Sequence, residues 1–151
     1  MQNTAESLKE IAITLWVGGL WVTGYMAAPV LFASLSDRML AGMLAGKMFE
    51  MVAYIGIVCG IYLVIYAIQK SGGGVIKERF FWAVLLMLVL TLAGHFGIQP
   101  IIQHLKDEAL PRDVMQSVFK NRFEAWHGIA SILYLIQSLL GLFVVLSRKK
   151  S

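Results

Sequence analysis

Four long stretches of this chain contain no Asp, Glu, Lys or Arg: residues 11–36, 51–69, 80–105 and 125–147, of 26, 19, 26 and 23 positions. A helix crossing the hydrocarbon of a bilayer needs roughly 20 apolar residues, so each stretch is long enough to cross once. Hydrophobic residues make up 58% of the chain, against about 45–50% in soluble proteins, which places it among membrane proteins. Leu, Ile, Val, Ala, Gly and Met fill the four stretches without the alternation of an outer-membrane barrel, and a helix satisfies its backbone hydrogen bonds within its own segment. The fold class is therefore all-α: a polytopic membrane protein, a four-transmembrane-helix bundle. We read it as one domain over residues 1–151, with spans at about 9–33, 41–69, 79–104 and 123–147.

The start, "MQNTAESLKE", has no basic cluster, and no small-residue cleavage site follows "IAITLWVGGLW", so span one is expected to be retained. Cys59 is the single cysteine, which excludes an intramolecular disulfide and a cysteine-based metal cage. The net charge of +4 is scattered among turns and tails instead of forming one basic patch, so nucleic acid is not an expected partner. Its use is in orientation. Lys9, Lys70, Lys77, Arg79, Arg148, Lys149 and Lys150 fall on one side of a four-span protein, and Arg38, Lys47, Lys106, Arg112, Lys120 and Arg122 on the other. Acidic neighbours offset most of the second set and little of the first. Both termini are therefore expected to be cytoplasmic, with the chain in the cell's inner (plasma) membrane. The expected partners are the lipid bilayer and either further copies of the chain or another membrane protein.

Within the spans, small residues mark close helix contacts. Gly18, Gly19, Gly24, Ala27 and Ala28 thin span one, and Gly42 with Gly46 and Gly56 with Gly60 repeat the small-xxx-small spacing in span two. Pro29 is expected to kink or end span one near the outer surface, and Pro100 to bend or unwind the outer end of span three. Residues 106–122, the longest soluble piece, have helix-compatible spacing after Pro111, with Val114, Met115 and Val118 on one side, which predicts a helix on the membrane surface.

Polar residues recur along helical faces. Glu124, His127, Ser131, Tyr134 and Ser138 share one face of span four; Thr91, His95, Gln99 and Gln103 line span three; Lys47, Glu50 and Tyr54 stand near the outer end of span two. At ~1.5 Å of rise per residue, Met26, Glu50, His95 and His127 all lie ~24–32 Å from the cytoplasmic ends of their spans. Because such groups are costly in lipid, they are expected to face inward and form a polar pocket of Lys47, Glu50, Tyr54, Arg122 and Glu124 around His95 and His127, with His127 in reach of Glu50. Lys47 and Glu50 would then form a partly buried group with Arg122 and Glu124. The plainer readings make Trp126 an interfacial anchor, His127 a hydrogen-bond partner of Glu50 or Tyr25, His104 a surface residue, and the eight methionines core filler.

The stretch "TLWVGGLWVTGYMAAPVLFASLSDRMLAGMLAGKMF", with "FGIQPIIQHL" and "RFEAWHGIASILYLI" later in the chain, resembles the transmembrane-protein-205-like family, whose bacterial members are grouped as domain of unknown function 4149. The resemblance runs over roughly residues 10–147. It implies a four-span bundle and no established reaction. More distantly, the "LWVGGLW" opening and an outer-side His are similar to the copper-resistance D and haem-linked protoporphyrinogen oxidase membrane families, which implies metal or haem; span one of this chain has no His.

Three functions follow. His95 and His127 could hold haem b or copper, with Met26 and Met51 as soft ligands for the latter. Glu50, Glu124 and the two histidines could relay protons or cations in a small transporter. Or the polar stripe could be buried against another membrane protein or further copies. No HExxH, nucleophile motif or phosphate loop is present, so nothing in the sequence points to an enzyme.

Overall fold

A computed structural model describes residues 2–110 and 112–147, the side chains of residues 2 and 3 excepted. The described residues are mostly helical: α1 (Gln2–Val22), a π-helical turn (Thr23–Ala27), α2 (Ala28–Ser34), α3 (Arg38–Ser71), a 3-10 segment (Gly72–Lys77), α4 (Arg79–Leu92), a second π-helical segment (Ala93–Ile98), α5 (Gln99–Ala109), a 3-10 turn (Val114–Gln116) and α6 (Lys120–Ser147). Joined end to end, they make four helices long and apolar enough to cross a membrane: Thr4–Ser34, Arg38–Lys77, Arg79–Ala109 and Lys120–Ser147. The result is an all-α four-helix membrane bundle, and the protein is an integral membrane protein.

Helix ends follow local chemistry. The Asp37 carboxylate accepts from the backbone N–H of Met39 at 2.9 Å and Leu40 at 3.1 Å, which starts α3. Gly72, at a φ of 52°, lets the chain turn out of α3 in a conformation costly for any other residue. Neither proline ends its span. Pro29 and Pro100 each lie in the first turn of the α-helix that follows a π-helical segment. At the first of these, the Ala28 N–H reaches back five residues to the Thr23 carbonyl, so the register has already shifted before the proline ring enters. Pro29 thus follows a widened turn and does not end the helix, which runs on to Ser34.

The surface helix expected after Pro111 does not form, Pro111 itself lying outside the described residues. Only the 3-10 turn Val114–Gln116 appears; Val114 is buried, while Val118 is 92% exposed. Side chains explain the difference. Asp113 accepts from the Met115 N–H, and the Ser117 hydroxyl both donates to the Val114 carbonyl and accepts from the Phe119 N–H. Such bonds offer the backbone an alternative to a helix ladder.

Consecutive spans pack side by side, and span four closes against span one. The core is built on Trp16, which is 1% exposed. A methyl group at Gly56 would lie 2.4 Å from its Nε1, and one at Gly60 would lie 2.9 Å from its ring, so the small-xxx-small pair of span two is the slot for one indole. The Trp16 Nε1–H is buried without a hydrogen-bond partner among the described residues. In lipid this costs little, because hydrocarbon would offer the N–H no partner either. Val17 packs similarly against Gly141, and Ile13, Leu63, Val84, Met87 and Val144 complete the cross-section.

Candidate functional site

The residues that the sequence singles out separate into an outward face and an interior network. On the outward face, α3 carries Lys47, Glu50 and Tyr54 at helical spacing. The Lys47 ammonium meets the Glu50 carboxylate at 2.8 Å, with 78% of the lysine side chain and 37% of the glutamate side chain exposed. One turn deeper, the Tyr54 ring meets the His95 ring edge to face at a centroid distance of 4.8 Å. His95 also contacts Phe96. His95 lies in the second π-helical segment, Ala93–Ile98. Lys47, Glu50, Tyr54 and His95 thus form one cluster across spans two and three at the edge of the bundle, with Lys47 and Tyr54 exposed and Glu50 and His95 half-buried.

His127 is elsewhere. Its ring stacks on Phe123 at 5.5 Å, and the Lys106 ammonium lies 6.0 Å from the Phe123 centroid. No hydrogen bond, ion pair or ring contact joins His127 to His95 or to Glu50 among the described residues. Arg122 and Glu124 are exposed and make no ion pair among them, so the pocket of Lys47, Glu50, Arg122 and Glu124 is not assembled. Met26 and Met51 are 63% and 66% exposed. Among the described residues, no three His, Cys, Asp or Glu side chains are grouped to hold a metal ion. His104 pairs locally with Glu108 at 3.4 Å.

The inward expectation holds instead for groups that received less weight. Gln137 and Thr91 are buried and hydrogen-bonded to each other, and the Thr91 hydroxyl donates to the Met87 carbonyl at 2.9 Å. Tyr25 donates to the Ser138 hydroxyl at 3.0 Å, and Ser138 donates to the Tyr134 carbonyl at 2.8 Å. The Tyr134 hydroxyl donates to the Leu20 carbonyl. Leu20 lies one helical turn before Gly24, so Tyr134 is anchored to the backbone of span one where the first π-turn begins. Gly24 leaves the room: a methyl group there would lie 2.3 Å from the Tyr134 ring.

A second polar cluster escaped the sequence reading. At the opposite end of the bundle, Lys9 is 6% exposed and paired with Glu6 at 2.7 Å and Glu10 at 3.5 Å. Tyr66 donates to Glu6, Lys70 reaches the same carboxylate at 3.7 Å, and Tyr62 donates to the Ala5 carbonyl at 3.0 Å. The signal was present: Tyr62, Tyr66 and Lys70 are spaced by four on span two, as are Glu6 and Glu10 on span one.

Residues 11–111 match the family described as domain of unknown function (DUF4149), more than half of the chain and all of spans two and three. The chain belongs to this family. No curated protein and no solved structure gives a significant match. The DUF4149 match takes in the outward cluster Lys47, Glu50, Tyr54 and His95, and the slot of Trp16, Gly56 and Gly60; α6, with His127, lies beyond it. The family description names no reaction, so the chemistry of the site has to be argued from its residues.

Proposed function

We propose that this protein is a structural, accessory subunit of the inner (plasma) membrane: a single four-span domain, both termini cytoplasmic, that packs laterally against a second copy through the outer half of spans two and three. One observation carries the reading. The Lys47–Glu50 pair and the Tyr54–His95 pair stand on the outside of helices that run through lipid, where ionisable and polar side chains are expensive and normally covered by protein. Gly46, Gly94 and Gly97, near these residues in sequence, have nothing within 4 Å of where a methyl group would sit, and such positions let a neighbouring backbone approach. Opposite charges one turn apart make the face self-complementary: a two-fold axis along the membrane normal brings Lys47 of one copy toward Glu50 of the other. The resemblance to the transmembrane-protein-205-like family, with no established reaction, points the same way.

The other readings draw less from the arrangement. His95 and His127, proposed as ligands of haem or copper, contact different neighbours, and Met26 and Met51 are mostly exposed. A relay would continue from the outer groups to Thr91 and Gln137, and there Ile13, Leu63, Val84 and Met87, none more than 1% exposed, close the section before Lys9.

The test places a photo-crosslinking amino acid at Tyr54, with Leu139 on α6 as the control, in cells expressing the full chain. The expected outcome is an adduct of twice the chain mass from position 54, weakened several-fold by Lys47→Ala with Glu50→Ala. Adducts with lipid alone at both positions would remove the proposal.

A further inference from the structure

We infer that the pocket at the Lys9 end of the bundle is a binding site for a phosphate group, and that this phosphate is carried by an anionic phospholipid headgroup. The pocket has a volume of about 140 Å³, and all four spans contribute to its wall: Lys9 from span one, Tyr66 and Lys70 from span two, Glu78 and Phe80 around the start of span three, and Ser147 from span four.

The wall has a donor surplus. Each ammonium carries three N–H donors. Among the described residues, Lys9 uses its donors on Glu6 and Glu10, neither of which lines the pocket, and so keeps one. Lys70 has there a single, long ion pair at 3.7 Å and keeps at least two donors. The one carboxylate in the wall, Glu78, is engaged by the Ser71 hydroxyl. Both ammoniums border the Tyr66 ring, each 5.7 Å from its centroid, and Lys9 lies 6.0 Å from that of Phe80. The Glu6 carboxylate already bridges the two ammoniums, so what the pocket offers an anion is the unused N–H donors and not unpaired charge. A phosphate oxygen suits ammonium donors that remain unused.

Position selects the lipid form of that phosphate. Lys70 and Arg79 bound the uncharged stretches of their spans, and Lys9 lies one residue before Glu10, which bounds that of span one; this is the level of the headgroups. Phe80 and Ala67 give the pocket an apolar side continuous with the spans, where a diester's glycerol and first acyl carbons lie. In sequence, Arg148, Lys149 and Lys150 follow directly on Ser147, and juxtamembrane basic residues attract anionic lipid. A trimethylammonium headgroup would bring a third cation to the pocket, so phosphatidylglycerol is preferred over phosphatidylcholine.

The full chain in detergent is titrated with phosphatidylglycerol or phosphatidylcholine, and bound lipid is counted by native mass spectrometry. Inorganic phosphate is a separate arm, read as displacement of bound lipid and as a shift in unfolding midpoint. Wild type is expected to retain phosphatidylglycerol preferentially. Lys70→Gln, at a half-exposed position, weakens retention roughly tenfold, the loss of one charge-assisted hydrogen bond. Lys77→Gln, which removes the same charge from an exposed residue outside the wall, leaves retention unchanged. Phosphatidylglycerol retained against excess inorganic phosphate supports the lipid source, and ready displacement supports the same phosphate site serving a soluble ligand. Equal retention of the two lipids, or equal losses in Lys70→Gln and Lys77→Gln, overturns the inference.

Discussion

Glycine is the residue whose meaning differs most from one position to the next here. In sequence, Gly18, Gly19 and Gly24 look alike, three small residues on one apolar span. Their surroundings separate them: a methyl group at Gly18 meets nothing within 4 Å, one at Gly19 touches Val52 at an ordinary 3.7 Å, and one at Gly24 would lie 2.3 Å from the Tyr134 ring. Overpacking of this kind typically costs ~1–3 kcal/mol, whereas alanine in place of an unhindered helical glycine gains up to about 1 kcal/mol of helix propensity. Gly24→Ala is thus expected to lower the stability of the detergent-solubilised protein, and Gly18→Ala to hold or raise it, compared as unfolding midpoints in the same detergent. Equal effects at the two positions would show that the notch for Tyr134 does not constrain the helix. The rule that small residues mark close contacts was legible at both sites, but which glycine meets a ring depends on a side chain more than 100 residues away in sequence.

At the scale of the element, the two π-helical segments repeat one design. Each lies in the half of its span farther from the chain ends, each precedes a proline, and each has polar groups beside it: Tyr25 and Tyr134 at Thr23–Ala27, His95 and Tyr54 at Ala93–Ile98. In the first, the Tyr134 hydroxyl donates to the Leu20 carbonyl, just before the widened turn. Tyr134→Phe removes that bond while keeping the ring. A side-chain hydrogen bond inside a membrane bundle is worth about 0.6–1.7 kcal/mol, so the variant should lose stability in that range. The Leu20 carbonyl is then free to accept from the Gly24 N–H one turn on, which is expected to draw the turn back toward α-helix and slow amide exchange at Gly24. Faster exchange there would mean that the Tyr134 bond is not what holds the π-turn open. Pro29 and Pro100 are visible in the sequence as interruptions; the widened turns that absorb them are not, because they answer to a partner on another span.

For the whole molecule, an even number of spans places both ends of the described chain on one side, whatever the tilt of individual helices. The basic residues of that side, Lys9, Lys70, Lys77 and Arg79 with Arg148 to Lys150, have few acidic neighbours, which is the support for the cytoplasmic orientation we propose. A reporter fused after Ser151 that is active only inside the cell is the expected result; activity only outside would invert the protein. The same end holds the Lys9 pocket and the opposite half holds the outward face of Lys47, Glu50, Tyr54 and His95, so the two proposed surfaces can be altered independently. Variants at Lys70 should leave crosslinking from position 54 intact, and variants at Lys47 should leave lipid retention intact.

The helical class and the four crossings are properties of the sequence by itself, because transfer into hydrocarbon and the need for internally satisfied backbone act on each segment without reference to the others. The rotation of each helix about its axis is decided only in the tertiary structure. That rotation turns Lys47, Glu50 and His95 outward, hides Thr91 and Gln137, buries Lys9 against Tyr66 and Phe80, and leaves His95 and His127 with different neighbours. Polar residues at helical spacing say only that a face exists. Which way the face points is set by distant packing: Trp16 in the slot of Gly56 and Gly60, Tyr134 in the notch of Gly24, and Val17 against Gly141. In lipid, where apolar surface has no preference for protein over its solvent, such steric fits outweigh the polarity of the stripe.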